Sequence, residues 1–196
     1  MELQHLNLKL FVEPPAPAVL AGIVPVFHSW IEHRAGDELL LDIADYRHVP
    51  EGPGIVLVGL EADYSLDHAD GRWGVGYYRK APLAGSNLDR LAQSARAALN
   101  ACRRLEEDPR LQGGVRFAGR ELEIGVRDRM LAANDAAGRA AMAAELSPFL
   151  NALLGGAGYE LRFHDDSRRL LSAVVASARA FTASELLAAL ARPAAG

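Results

Sequence analysis

Cysteine is almost absent from this chain of 196 residues, since Cys102 is the only one. A single cysteine excludes an intramolecular disulfide and any zinc site built from cysteine ligands. The apolar spacing around Cys102 predicts a helix, so we interpret it as a small buried residue rather than a reactive thiol. A chain of this length buries roughly 70% of its unfolded surface, so a core can form without disulfides or metals.

Lysine is also scarce, and basic charge is not concentrated anywhere. Of the 21 basic residues only Lys9 and Lys80 are lysines, and the net charge is −4. Residues 1–82 carry 12 acidic and 6 basic residues, whereas residues 83–196 carry 13 and 15. A nucleic-acid-binding protein is expected to show a concentrated basic face. We therefore predict that no nucleic acid is a partner.

Long apolar runs and known functional motifs are missing as well. No window is long and apolar enough for a membrane span, and no signal-peptide pattern opens the chain, so we expect a cytoplasmic protein without membrane contact. The sequence has no Walker loop, dinucleotide fingerprint or nucleophile elbow. Its six histidines show no metal-ligand spacing. We predict neither a metal nor a cofactor.

The apolar pattern that is present predicts several strands. Residues 4–13 alternate, with Leu6 and Leu8 on one side and Lys9 on the other, which is typical of a half-buried strand. Residues 39–46 and 55–60 are nearly continuous apolar runs, which predict neighbouring central strands covered on both faces.

Four helical segments are predicted between and after these strands. The proline-rich segment predicts a short helical turn and then a helix with Pro25 in its first turn, stopped by Gly36. The face of that helix is predicted to carry Val24, Phe27, His28 and Ile31, with Trp30 beside it. Residues 87–107 form the clearest helix, capped by Ser86 or Asn87, and alanine-rich residues 135–154 form the next. A capping box at 182–185, with Phe181 packed on Leu186, opens a short terminal helix.

Three hairpins complete the prediction. Residues 67–71 lead into a strand at 72–79, residues 118–120 separate strands at 115–117 and 121–126, and residues 159–163 pair with 170–176. We thus predict an α+β fold: a mainly antiparallel sheet of successive β-hairpin–helix units after an N-terminal βαβ segment, with the helices mostly on one face. It forms one domain over residues 1–196, with residues 192–196 a frayed tail.

The predicted fold has a consequence for assembly. If the helices cover one face, the two-sided apolar strands leave the other face in need of cover, and we predict that a second copy supplies it in a homodimer. The alternative is that the first helix covers that face within one chain.

Two sets of residues are candidates for a site. Asp45, His48 and Glu61 lie among other polar residues at the ends of the two apolar strands and could act as general acids and bases. Solvated strand ends and turn caps explain the same residues without catalysis.

The second set comprises aromatic and cationic residues that could contact a ligand. Gly74 and Gly76 leave a bare strip that could admit a flat or apolar molecule, or equally a packed helix. The predicted ligand-binding residues are Tyr46, Tyr64, Trp73, Tyr78 and Arg79.

Two functions are consistent with these patterns. The first is a non-catalytic, homodimeric interaction or small-ligand-binding module whose working surface lies around residues 45–80. The alternative is an enzyme that uses general acid–base chemistry, with or without a metal ion, at Asp45, His48 and Glu61.

Overall fold

A computed structural model describes residues 1–34 and 38–192. Within these residues the chain forms eight strands and four α-helices. The strands are Leu6–Val12 (β1), Leu40–Asp45 (β2), Ile55–Gly59 (β3), Ala62–Asp67 (β4), Gly74–Arg79 (β5), Phe117–Val126 (β6), Tyr159–Phe163 (β7) and Ser172–Ser177 (β8). The helices are Pro17–Glu32 (α1), Asn87–Glu107 (α2), Ala136–Leu153 (α3) and Ala183–Leu190 (α4).

All eight strands belong to one sheet in the order β2-β3-β4-β5-β1-β6-β8-β7, and every neighbouring pair is antiparallel. The predicted α+β fold is therefore confirmed. Four antiparallel pairings separate β1 from β2, so these two strands run in the same direction. They form the predicted N-terminal βαβ segment, although three other strands lie between them.

The two faces of the sheet differ in chemistry because each strand alternates. On β1, Leu6, Leu8 and Leu10 are buried and belong to one apolar cluster with residues from all four helices. Asn7 and Lys9 point to the opposite side, which we call the polar face. The expectation that the helices lie mostly on one face stays a prediction.

β2 and β3 are neighbours as predicted, but they are not both central. β2 is an edge strand, and it pairs with β3 alone. Leu41 on β2 is 50% exposed, and Val56 on β3 is only partly buried. The prediction of two central strands was wrong because a continuous apolar run was taken to mean burial on both faces. Leu39, Leu41 and Leu60 instead lie exposed at the rim of the sheet.

α1 corrects the prediction of a break before Pro25. One helix runs from Pro17 to Glu32 with Pro25 inside it. The buried side chains of Ile23, Val26 and Phe27 continue past the exposed proline, so their packing offsets the lost hydrogen bond. His28, which was placed on the packed face, is exposed. The predicted stop at Gly36 lies outside the described residues. Residues 193–196 of the predicted tail lie outside them as well.

β6 corrects a second prediction, because residues 118–120 do not form a hairpin. The strand is continuous from Phe117 to Val126, and its register with β1 shifts between Leu10 and Val12. Gly119 has a φ of 78°, which suits a bulge as well as a turn. The glycine therefore bends one strand instead of joining two.

The strongest local signals are confirmed. Ser86 caps α2 in a capping box, Thr182 does the same for α4, and Asp135 caps α3. The other two predicted hairpins are present as β4–β5 and β7–β8.

Candidate functional site

The largest cavity that we describe is a groove of about 640 Å³ on the polar face. It is lined by residues of β1, β3, β4, β5, β6 and β8, by Arg127 just after β6, and by three connections between strands, which form its walls. The lining residues are Asn7, Lys9, Glu51, Pro53, Val56, Asp63, Asp67, Ala69, Asp70, Tyr78, Glu123, Arg127, Arg169, Leu170 and Ser172.

Lys9 and Asp67 form a buried ion pair at one side of the groove. Lys9 Nζ lies 2.7 Å from Asp67 Oδ1, and the two side chains are only 7% and 6% exposed. Gly74 makes room for the lysine, because a Cβ at that position would come within 2.6 Å of Lys9 Cγ. Each charge has its partner at hydrogen-bonding distance, as buried charges require.

Tyr78 extends this network toward the open part of the groove. Its hydroxyl donates to Asp67 Oδ2 and accepts from Ser65 Oγ at 3.4 Å. Burial raises the pKa of Tyr78 well above its ordinary value, and the negative charge of Asp67 raises it further. The phenol therefore keeps its proton at neutral pH. The Arg127 guanidinium lies over the ring, 5.1 Å from its centroid.

A turn at Ala69–Gly71 folds over the polar face and forms one wall. Lys9 Nζ donates to the carbonyl of Ala69 at 3.1 Å, and the amide of Ala69 donates to Asp67 Oδ1 at 2.6 Å. Asp70 in this turn pairs with Arg169 from the β7–β8 connection. The buried ion pair thus holds the turn, and the Asp70–Arg169 pair joins two connections across the face.

The predicted catalytic residues do not converge. Asp45 lies opposite Ile55 at the start of β3, while Glu61 follows the end of that strand. The two carboxylates therefore lie at opposite ends of β3.

Each of these residues has another partner. Asp45 is bound by Arg47, whose hydrogen bonds lower the pKa of that carboxyl to about 2, with a minor contribution from the charge of His48. Glu61 pairs with Arg79 at 3.1 Å. His48 is exposed, with its ring 6.4 Å from that of Tyr46. The structure therefore does not bring Asp45, His48 and Glu61 together at one site.

The predicted ligand-binding residues are also divided. Of the five, Tyr78 alone lines the groove. Tyr64 and Arg79 point to the other face, because strand alternation places them opposite Tyr78. Trp73 stacks on the ring of His68 at 4.3 Å between centroids. Tyr46 is 42% exposed just beyond β2.

Tyr64 and Arg79 belong to a separate network around Glu38. The Glu38 carboxylate accepts hydrogen bonds from Tyr64 and Tyr77, each at 2.8 Å, and from Arg79 at 3.1 Å. Burial raises the pKa of both tyrosines, and the Glu38 charge raises it further. Every group in this network is satisfied by another, and none lines the groove. We interpret the network as structural.

The groove residues that sequence reasoning missed are Lys9, Asp67, Glu123, Arg127 and Ser172. Lys9 carried a usable signal, since a rare lysine alternates there with leucines on a strand. Nothing in the sequence indicated that residues near 125 and 172 would lie beside it, because this depends on strand order.

Other kinds of site find no support in residues 1–34 and 38–192. No group of three or more His, Cys, Asp or Glu side chains in that part of the chain could hold a metal ion. None of its helices is long and apolar enough to cross a membrane. Comparisons with protein families, with curated proteins and with solved structures give no match.

Proposed function

We propose that this protein is a non-catalytic module that binds a small molecule in the groove on the polar face. The observation that carries the proposal is the groove itself. Its volume of about 640 Å³ is within the usual range of small-molecule sites, about 300–1,000 Å³. Its polar groups converge from strands that are held by one sheet, so the site is formed before a ligand arrives.

Binding is favoured over acid–base catalysis at the buried end of the groove by the state of three titratable groups there. Lys9, Asp67 and Tyr78 already satisfy one another, and the raised pKa of Tyr78 makes it a poor base at neutral pH. A general base must be free to accept a proton from the substrate, and none of these three groups is free. The network instead gives the groove a rigid wall.

The test is native mass spectrometry of the freshly purified protein, followed by exposure to a metabolite extract of the expression host. We expect a retained or added small molecule in the wild type. Asn7→Trp should remove it by filling the groove, whereas Ala176→Trp, on the same face but outside the groove, should leave it bound. Circular dichroism checks that both variants fold. A bare wild-type protein, or equal binding by Asn7→Trp, would refute the proposal.

We also propose self-association as a homodimer. The original reason for it is weakened, since the face opposite the core is polar. What supports it now is the apolar rim beside β2, where Leu39, Leu41 and Leu60 are 56%, 50% and 60% exposed. Light scattering at micromolar concentration should give twice the monomer mass, and Leu41→Lys should reduce it. A monomeric mass for the wild type would remove the proposal.

We also propose a cytoplasmic location. Cys102 is free and fully buried, and the described chain contains no disulfide. A reduced buried thiol suits a reducing compartment. Fractionation of cells that express the tagged protein tests this proposal, and recovery outside the cytoplasm would contradict it.

A further inference from the structure

The groove contains charges that are paired and charges that are not. The paired charges are Lys9 with Asp67, Arg169 with Asp70 and Lys80 with Asp63. Within residues 1–34 and 38–192, the side chains of Glu123 and Arg127 make no hydrogen bond or ion pair. Glu51 is also unpaired there, but it lies on the β2–β3 connection, on the side of the groove away from β6.

Glu123 and Arg127 are placed so that one molecule could contact both. They lie on the same face of one extended segment, four residues apart, so their Cα atoms are separated by ~13 Å. Both side chains line the groove. The stacking of Arg127 on Tyr78 limits the positions that its guanidinium can take.

Gly125 lies between these two charges, and the side chains of Asn7 and Ser172 cover it. A Cβ there would come within 2.6 Å of Asn7 Oδ1 and 3.0 Å of Ser172 Cβ, so these two side chains form the floor of the groove at this point. Asn7 and Ser172 flank the glycine on β1 and β8. Their side chains make no hydrogen bond with any described residue, so both are available to a ligand.

We propose that the ligand is a small zwitterion with one carboxylate and one amine, which lies across Asn7 and Ser172 between the two charges. Arg127 binds the carboxylate, and Glu123 binds the protonated amine. One guanidinium balances one negative charge, and one carboxylate balances one positive charge, so a ligand with a single charge leaves one side chain unmatched. This inference rests on the proposed binding function and specifies its ligand.

The experiment uses three probes of similar length: 6-aminohexanoate, hexanoate and hexylammonium. Binding is followed by the backbone amide shift of Gly125 in ¹⁵N NMR spectra of the full chain. We expect 6-aminohexanoate to bind about tenfold or more tightly than either singly charged probe, as charge-assisted hydrogen bonds allow.

Two variants test which side chain binds which charged group of the ligand. Arg127→Gln should reduce the affinity for 6-aminohexanoate to that for hexylammonium, and Glu123→Gln should reduce it to that for hexanoate. Arg120→Gln and Glu160→Gln remove matching charges from β6 and β7 outside the groove and should change nothing. Neither groove charge makes a hydrogen bond or an ion pair with a described residue, so these variants should fold normally, and circular dichroism checks this.

Several results would overturn the inference: equal affinity for all three probes, affinities unaffected by Arg127→Gln and Glu123→Gln, or no shift of Gly125 with any probe. These results are separable from failure of the binding function. A retained molecule that Asn7→Trp displaces, and that both charge variants still bind, would leave small-molecule binding intact and refute the zwitterion.

Discussion

Lys9 and Asp67 are the most unusual residues of this protein, since they form an almost fully buried ion pair on the polar face. The pair also holds the Ala69–Gly71 turn through the backbone of Ala69. A buried pair adds little net stability over an apolar replacement, but the loss of one partner is costly. The pair therefore acts mainly by fixing the wall of the groove.

Removal of one partner should measure this cost. Lys9→Met is expected to lower the free energy of unfolding by about 3–5 kcal/mol, because Asp67 would stay buried without its counter-charge. The double variant with Asp67→Asn should lose less than the sum of the single variants. Guanidinium denaturation measures all three.

Lys80→Met is the control for this prediction. The Lys80–Asp63 pair is 41% and 22% exposed, so its loss should cost about 1 kcal/mol or less. Equal losses for Lys9→Met and Lys80→Met would contradict the argument from burial.

The lowered pKa of Asp45 predicts that stability depends on pH in acid. Hydrogen bonds from the side chain and backbone of Arg47 lower its pKa from 3.8 to about 2. Because the folded pKa lies below the unfolded one, the contribution to stability is present above about pH 4 and is lost as the pH falls through 2. This contribution is small, since the pair is more than a third exposed.

A ¹³C NMR titration of the Asp45 carboxyl checks this expectation. The midpoint should lie near 2 in the wild type and move back toward 3.8 in Arg47→Gln. A midpoint that Arg47→Gln leaves in place would show that another group lowers the pKa.

At the scale of elements, the glycines of β5 shape the groove. Gly74 and Gly76 were predicted to leave a bare strip, and this strip is filled by Lys9 and by the ring of Tyr78. The strip therefore accommodates the protein's own side chains, and the proposed ligand space lies farther along the sheet, beside Asn7 and Ser172.

Gly76→Ala tests this packing. The added methyl group would lie 2.6 Å from both Tyr78 Oη and Ser65 Oγ, so Tyr78 must shift away from Asp67. We expect a loss of about 1–3 kcal/mol in the free energy of unfolding. Gly158→Ala is the control, because its nearest contact would be 3.9 Å away, and its effect should stay within about 0.5 kcal/mol. Similar losses in the two variants would contradict the role of Tyr78.

β2 shows how an exposed edge is protected. The amide of Ile43, which points away from β3, donates to Asp42 Oδ1 at 2.7 Å. An edge amide that already donates to a side chain is a poor partner for another strand. If two copies associate at this rim, we expect contact between the exposed leucines rather than a continuous intermolecular sheet.

For the whole molecule, the apolar cluster predicts cooperative unfolding. Residues from all four helices and from the sheet belong to one core, and the single domain stays a prediction that unfolding can test. Trp30 is a buried residue of α1 in that core, and Trp73 precedes β5. We expect tryptophan fluorescence and far-ultraviolet circular dichroism to report the same denaturation midpoint. Two separate midpoints would indicate two independently folding parts.

The sequence by itself determined the features that depend on neighbouring residues. Such features include the caps at Ser86 and Thr182, the apolar stripe of α2 and the alternation of β1. Each depends on residues that are only a few positions apart in the sequence. Local hydrogen bonds and side-chain periodicity decide such elements, so they were predicted with nearly correct bounds. Proline and glycine were less informative, because packing kept α1 and β6 continuous through Pro25 and Gly119.

Only the tertiary structure decided which strands are neighbours, and the groove follows from that order. Lys9, Tyr78 and Ser172 come from three strands that are far apart in the chain, and Arg127 follows a fourth strand, β6. The pairing of β2 with β3 puts Asp45 at one end of β3 and Glu61 at the other, so the predicted acid–base residues do not meet. An apolar run encodes a preference for burial but not the identity of its neighbours, because strand pairing depends on contacts between distant residues.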